Sequence, residues 1–222
     1  EVAYKETITK KAQGVVGKFI SQSGGKGQYG HVVIDIEPSE KGKGFIFENK
    51  IKGGAIPREF FSAIEKGFKA GMLTGVKAGY PVTDVTVYLI DGSYHDVDSS
   101  ELAFQLAAKY ALKEGLTQGK SVFLEPIMDI ELAAPEEFMG SVIGDLNTRR
   151  AKIIDLGQRA NLKTTRCEVP LAEMFNYVNA LRSLTQGRAT FSMEPAFYQE
   201  VPTHVANKII ESRQQGTAVR KV

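Results

Sequence analysis

The sequence contains little of what several common functional sites require. It has one cysteine, Cys167, so an internal disulfide framework and a cysteine-cluster zinc site are both excluded. Its three histidines, His31, His95 and His204, never occur in the HExxH spacing of a zinc protease. No apolar run approaches the roughly 18 residues of a membrane span, and the first residues lack the apolar core of a signal peptide. We therefore expect a cytoplasmic protein without a membrane segment or a metal site.

Charge of one sign is also scarce. The net charge is +2, from 28 basic and 26 acidic residues, and this is too small to indicate nucleic-acid binding through bulk charge. With 42% hydrophobic and 24% charged residues, the chain has the composition of a folded protein with a core. Any RNA binding would depend on a local surface. The first residue is Glu rather than Met, from which we expect a fragment or a processed product.

The first 120 residues predict one α+β domain. Residues 2–20 are extended in character, and Val32, Ile34 and Ile36 alternate with polar residues as in a half-buried strand. The glycine-rich run 23–27 between them predicts a long hairpin tip. Two more strands are expected, at 44–51 and 82–90.

Two helices are predicted between and after these strands. The first follows Pro57. For the second, Asp98 is the expected N-cap, with Glu101 reaching back to complete a capping box. We expect this helix to end near residue 114 and to turn Leu102, Leu106, Tyr110 and Ala111 inward.

The second half predicts a different domain. A strand near 128–132, a helix beginning at Pro135, two strands at 152–158 and 164–169, a helix and a final strand at 188–197 give the order βαββαβ. That order is typical of ferredoxin-like domains. The predicted boundaries are 1–120, 121–200 and 201–222, the last being a helix at 202–215 and a tail.

Two glycine motifs resemble nucleotide-binding loops but have the wrong context. The run 25–30 matches GxGxxG, yet a strand follows it where a dinucleotide site requires a helix. The run GLTQGKS at 115–121 has one residue too few for a P-loop and precedes a strand. Nucleotide hydrolysis by this chain is therefore not expected.

Each of the remaining candidate functional residues could also be a structural or solvent-exposed residue. His95 stands beside Asp96 as in acid–base sites, but no nucleophile signature accompanies it, so an exposed loop histidine is favoured. His31 and Cys167 are expected to be structural, the latter an inert thiol. Arg149 and Arg150 are either an RNA contact or a solvated helix end.

Four runs together resemble one family. SGGKGQYGHV (23–32), GGAIPREF (53–60) and DGSYHDVDSSELAF (91–104) are similar to the fourth domain of bacterial elongation factor G. LEPIMDIELAAPEEFMGSVIGDLNTRRAKI (124–153) is similar to the fifth. The resemblance covers nearly the whole chain and implies two α+β domains. The first would be an elongated sandwich with a left-handed βαβ crossover that mimics a tRNA anticodon arm, and the second a ferredoxin-like fold.

The resemblance implies a part in GTP-dependent translocation of tRNA and mRNA through the ribosome. The GTPase domain, with its GTP and Mg²⁺, would lie in an amino-terminal part that this sequence lacks. The chain alone is therefore expected to be neither an enzyme nor a cofactor binder. Its expected partners are the GTPase domain of the same protein, the small-subunit decoding region with the tRNA–mRNA duplex, and the large-subunit sarcin–ricin loop and stalk base.

Two loops carry the implied RNA contacts, and we call them the first tip loop (23–30) and the second tip loop (92–99). Their positions match the family's contacts with the codon–anticodon duplex. The implied contact residues are Gly25, Lys26, Gln28, Tyr29, His95, Asp96 and Asp98. Arg149 and Arg150 are candidates for the large-subunit RNA contact.

Three alternatives stay open on the sequence. The parent protein could be a paralogue that recycles ribosomes or protects them from tetracycline, although the two tip loops favour the translocase. In a different class, small-molecule kinases share the crossover architecture and use glycine-rich phosphate loops. A free-standing RNA-binding module is the third.

Overall fold

The chain folds into two compact units. The computed structural model describes residues 1–219, with side chains to residue 216. The larger unit contains Tyr4–Leu124 and the C-terminal residues from Val201, and the smaller unit contains Glu1–Ala3 and Glu125–Glu200. Each unit combines a β-sheet with helices, which confirms the predicted α+β class.

A four-stranded sheet forms the centre of the larger unit. Its strand order is β2–β3–β5–β4, and only the β4–β5 pair is parallel. The strands are β2 (Ala12–Ser21), β3 (Gln28–Pro38), β4 (Phe45–Asn49) and β5 (Val85–Ser93). On β3, Val32, Ile34 and Ile36 are buried in the core, as the alternation predicted. The run 23–27 joins β2 to β3 as a hairpin, also as predicted.

Two helices cover one face of this sheet. A 3₁₀ turn at Arg58–Phe60 leads into α1 (Phe61–Met72), and α2 (Glu101–Gln118) follows β5. Ile64 and Phe68 on α1 are fully buried, together with Phe104 and Leu112 on α2. The apolar face of the sheet and these side chains form one continuous core.

The prediction for α2 was wrong in two respects. The helix continues to Gln118 rather than ending near residue 114. Of its predicted inward residues, Ala111 is fully buried, but Leu102 and Tyr110 are 58% and 46% exposed. Ala103, Ala107 and Ala108 face inward as well, beside the large side chains of Phe104, Leu112 and Leu116.

Small residues replace large ones on this face because the helix lies directly on backbone. A Cβ added at Gly17 of β2 would collide with the Ala107 carbonyl oxygen, and one at Gly30 of β3 with the Ala103 carbonyl oxygen. A Cβ at Gly67 of α1 would likewise collide with the Gln105 carbonyl oxygen. At these three glycines the helix touches two strands and its neighbouring helix directly.

A buried carboxylate ties the start of the larger unit to the loop after α1. Strand β1 (Lys5–Ile8) pairs with residues 121–124, and its Glu6 is 0% exposed. The Glu6 carboxylate accepts backbone N–H bonds from Lys77 at 2.8 Å and from Ala78 and Tyr80 at 2.9 Å each. Backbone donors therefore compensate the cost of burying this charge. No motif in the sequence pointed to Glu6.

The C-terminal helix α5 (Thr203–Val219) completes the larger unit. Its Ile209 packs with Phe123 and Val201 in a small separate cluster. The tail predicted after residue 215 was therefore wrong for residues 216–219, which are helical, and its residues 220–222 lie outside the described residues. Among the described helices, none is both long and apolar enough to cross a membrane.

The smaller unit has the predicted βαββαβ order. Its elements are β6 (Ser121–Pro135, from residue 125), α3 (Glu136–Thr148), β7 (Lys152–Arg159), β8 (Leu162–Pro170), α4 (Tyr177–Thr185) and β9 (Thr190–Glu200). Strand β6 pairs with β8 and with β9, and β8 pairs with β7. Val142 and Leu146 of α3 pack with Ile130 of β6 and Leu181 of α4 in the core.

The Gly30→Ala variant tests whether α2 must lie on bare backbone. The added methyl group has no space beside the Ala103 carbonyl oxygen, so we expect overpacking to lower the free energy of unfolding by about 1–3 kcal/mol or more. Urea unfolding of the larger unit measures this loss of unfolding free energy. Gly216→Ala on α5 is the matched control, because nothing lies within 4 Å of that position. Equal stability of the two variants would contradict the close approach.

The Glu6→Gln variant tests the buried carboxylate. A glutamine amide presents one acceptor oxygen where the carboxylate presents two, so at least one N–H of the loop loses its partner. We expect a loss of about 1.5–3 kcal/mol in unfolding free energy, the range for hydrogen bonds to charged groups. Glu40→Gln, at an exposed turn, should change stability by less than about 0.5 kcal/mol. A similar effect at both positions would show that Glu6 contributes no more than a surface charge.

Candidate functional site

The two tip loops lie side by side at one end of the larger unit. The first joins β2 to β3, and the second leads from β5 into α2. The Tyr29 N–H donates to the Asp98 carbonyl at 2.9 Å, and Tyr29 and Ser99 form a single β-bridge. The Asp98 carboxylate lies against Gly27, where an added Cβ would come within 2.9 Å of its Cγ. Two runs that are far apart in the sequence therefore form one surface.

The first tip loop exposes its glycines and its lysine. Gly24 and Gly25 have φ values of +54° and +149°, which residues with a Cβ rarely adopt. Gly25 and Lys26 are exposed, so a backbone segment and an ammonium group face solvent together. Gln28 is half-buried, and its side-chain oxygen accepts a hydrogen bond from the Ser100 hydroxyl.

His95 and Tyr29 meet at the junction of the loops. Their ring centroids are 4.0 Å apart with 34° between the ring planes. The His95 backbone N–H donates to Ser99 Oγ at 2.9 Å, and the Ser99 N–H donates to the His95 carbonyl at 3.1 Å. The turn 95–99 is thus closed on itself, and the exposed imidazole rests on the half-buried phenol.

The predicted cap of α2 was wrong. Ser100, not Asp98, is the N-cap, and its hydroxyl accepts the Ala103 N–H at 3.1 Å. Glu101 is the first helical residue, so it cannot act as the far partner of a capping box. The Asp98 carboxylate instead contacts Gly27, and Asp96 is an exposed residue of the turn. The run DSS (98–100) offers three consecutive cap candidates, and the sequence does not distinguish them.

Two hydrogen bonds in series connect the Tyr29 hydroxyl to Ser93 and then to His31. The Tyr29 hydroxyl lies 2.6 Å from Ser93 Oγ, which lies 2.7 Å from His31 Nδ1. Burial of His31, together with the nearby Lys18, lowers the pKa of its imidazole below the usual value, and Asp91 opposes them only in part. His31 is therefore neutral near pH 7.

Arg149 and Arg150 lie in the smaller unit, where carboxylates engage both and a backbone carbonyl also engages Arg149. Arg149 pairs with Asp145 at 2.9 Å, donates to the Glu173 carbonyl at 2.7 Å and stands over the Tyr177 ring. Arg150 pairs with the buried Glu125 at 2.8 Å and with Glu173 at 3.1 Å.

Burial alone would lower the pKa of Arg150, but its hydrogen bonds to Glu125 and Glu173 outweigh this effect and raise the pKa. These contacts hold the turn after α3 against the segment before α4. Neither predicted alternative included this internal role, and an RNA contact by either arginine stays a prediction.

Cys167 is structural, as predicted. Its side chain is fully buried in the core of the smaller unit, and burial together with the charge of Asp129 raises the pKa of the thiol to about 11. A protonated, inaccessible thiol is a poor nucleophile.

Sequence reasoning expected His31 to be structural but missed the other residues that hold the tip together, namely Gly27, Ser93, Ser99 and Ser100. One signal was present, because strand alternation places Tyr29 and His31 on the same face of β3. The pairing of β3 with β5, which brings Ser93 to His31, was not readable from either strand alone.

The assembled groups can bind but are poorly suited to covalent catalysis. The tip offers backbone, an amide, an imidazole, a phenol, one ammonium group and the carboxylates of Asp96 and Asp98. His95 packs on a ring instead of facing a nucleophile. In the part of the chain that the structure describes, no three His, Cys, Asp or Glu side chains are grouped to hold a metal ion. A ligand with mixed donors and acceptors fits this surface best.

Comparison with known proteins identifies the family. Residues 1–120 match the family "Elongation factor G, domain IV", and residues 122–209 match "Elongation factor G C-terminus". Elongation factor G of Aquifex pyrophilus is 55% identical over 97% of this chain, which spans 31% of that protein's length.

A crystal structure from Thermus thermophilus superimposes with a TM-score of 0.89 at 43% identity. It covers 97% of this chain, and the match spans 32% of the other chain. The chain therefore spans about a third of the length of the relatives it matches. The agreement of two consecutive family matches with a close relative and a shared fold shows that the chain belongs to the elongation factor G family.

Proposed function

We propose that this chain is the ribosome-contacting portion of a translational GTPase that drives translocation of tRNA and mRNA. In this proposal the two tip loops enter the decoding region and contact the codon–anticodon duplex. The observation that carries the proposal is the union of the two loops into one surface by Tyr29, His95 and Asp98. Its setting is a cytoplasmic protein whose GTPase domain, with GTP and Mg²⁺, belongs to another part of the same polypeptide.

The chemistry of the tip fits an RNA duplex that must be held whatever its sequence. A-form RNA presents 2′-hydroxyls and phosphates in its shallow groove, and a protein that contacts these groups does not read the bases. Exposed Gly25 allows close backbone approach, Lys26 can meet a phosphate, and His95 offers a ring nitrogen. A single cation suits this task, because strong phosphate binding would oppose release of a moving substrate.

Rigidity at the junction of the loops supports the same proposal. A tip that blocks the return of tRNA must keep its shape against a load. Three contacts restrict that junction. They are the hydrogen bonds that close the turn 95–99, the backbone hydrogen bond from Tyr29 to Asp98, and the approach of the Asp98 carboxylate to Gly27. Hydrolysis of GTP elsewhere in the protein would then be coupled to movement through a stiff arm.

For the smaller unit we propose contact with the large subunit near the sarcin–ricin loop and stalk base, through α3. Asp145 and Glu173 already engage Arg149, and Glu125 and Glu173 engage Arg150. Any RNA contact by these arginines would therefore use guanidinium N–H groups that do not already donate to Asp145, Glu125 or Glu173.

The test uses a full-length elongation factor G in which this sequence replaces the matching C-terminal segment. We expect Gln28→Ala with His95→Ala to slow single-turnover translocation about tenfold or more, because two contacts of about 1 kcal/mol each are lost. GTP hydrolysis on programmed ribosomes should stay nearly unchanged, because neither residue is proposed to act in hydrolysis.

His204→Ala is the matched control, since His204 is an exposed histidine on α5 of the same unit. It should leave both rates unchanged. If the double variant translocates at the normal rate, the tip does not act as proposed. If the unsubstituted chimera hydrolyses GTP and splits ribosomes without translocating, the sequence belongs to a recycling paralogue.

A further inference from the structure

The Ser93 hydroxyl joins two side chains of the neighbouring strand. It lies 2.6 Å from the Tyr29 hydroxyl and 2.7 Å from His31 Nδ1, so one small side chain bridges two larger ones. Tyr29 in turn carries the exposed His95 ring at a centroid distance of 4.0 Å. An unbroken series of contacts thus runs from His31 in the sheet to His95 on the surface.

The sheet itself dictates this arrangement. His31 and Ser93 are register partners on β3 and β5, and Tyr29 lies two residues before His31 on the same face. Beside them Gly92 allows the strands to approach, because a Cβ there would collide with the His31 carbonyl oxygen and with Ile56. The bridge therefore joins the ends of two hydrogen-bonded strands, β3 and β5.

We propose that Ser93 and His31 are positioning residues of the tip, which fix the Tyr29 ring and through it the orientation of the His95 imidazole. A tyrosine held only by ring contacts could rotate about its side-chain bonds. The bond from its hydroxyl to Ser93 fixes the far end of the ring, and the His95 imidazole packs on the ring itself. The consequence for translocation rests on the function proposed above, whereas the positioning does not.

The direction of the hydrogen bonds is set by the tautomer of the neutral His31 ring. With the proton on Nε2, Nδ1 accepts from the Ser93 hydroxyl and Ser93 Oγ accepts the Tyr29 proton; with the proton on Nδ1, both bonds run the other way. The charged groups with electrostatic influence on His31 are Lys18 on β2 and Asp91 on β5, and Lys18 favours the neutral form. Both members of the bridge are then satisfied without an outside partner.

The first test measures ring packing in this chain by NMR. In the unsubstituted protein, the His95 ring protons should be shifted upfield by the Tyr29 ring and should show cross-relaxation with it. We expect Ser93→Ala to lose most of that shift and those cross-peaks. Ser93→Thr, which restores a hydroxyl at the same position, should recover them.

Ser39→Ala is the matched control for loss of a hydroxyl pair. Ser39 Oγ lies 2.6 Å from Thr86 Oγ1 in the same sheet, beyond the other end of β3, so its loss should leave the His95 signals unchanged. Unchanged His95 signals in Ser93→Ala would overturn the proposal. So would failure of Ser93→Thr to restore the signals in a protein that unfolds at the same urea concentration as the unsubstituted chain.

The second test separates positioning from the proposed function, in the full-length chimera. We expect Ser93→Ala to slow translocation by a smaller factor than His95→Ala, with Ser93→Thr close to normal and GTP hydrolysis unchanged in all three. If His95→Ala slows translocation and Ser93→Ala does not, the positioning role fails. If the NMR signals respond as expected but no tip variant affects translocation, the positioning holds and the proposed function fails.

Discussion

Direct contact of α2 with the backbone of the sheet is the constraint on which the larger unit depends. At Gly17, Gly30 and Gly67 no side chain separates this helix from its neighbours, so backbone atoms set its distance from β2, β3 and α1 at these points. Backbone contacts leave less room for adjustment than interdigitated side chains. The N-terminus of α2 is therefore held beside the end of β3, and this places Asp98 and Ser100 within reach of Gly27 and Gln28.

The contrast between what could and could not be predicted follows from the range of the interactions. Alternation along β3 and the start of α3 after Pro135 are local patterns, and both are confirmed. The inward face of α2 was mispredicted because large apolar residues usually mark a core-facing side, whereas Gly30 and Gly17 on distant strands demand alanine there. The candidate site shows the same division. Its two loops were located by the resemblance to elongation factor G. Ser93, however, meets its partners only through the register of β3 with β5, which no single segment of the sequence encodes.

Short-range contacts rather than ion pairs organise the surface proposed to meet RNA. The contacts that hold the two loops together are a ring pair, hydroxyl bonds, a backbone bond and a carboxylate lying on a glycine. These interactions are short-ranged and little affected by salt, unlike phosphate contacts. The shape of the tip is consequently independent of the ionic conditions that would govern its affinity for RNA. Asp96 and Asp98, awkward as phosphate contacts, are compatible with a tip whose role depends on shape.

In the smaller unit, by contrast, ion pairs hold the residues around the end of α3 together. Arg149 and Arg150 are both engaged by carboxylates, and Glu125 is buried with only Arg150 as its ion-pair partner among the described residues. Removing one member of such a set leaves an uncompensated buried charge, which costs more than the pair itself contributes. A substitution of Arg150 would therefore perturb the turn after α3 before it revealed anything about an RNA contact. Arginine pairs at a helix end are thus ambiguous in sequence, since the carboxylates that decide their role can lie twenty or more residues away, as Glu125 and Glu173 do here.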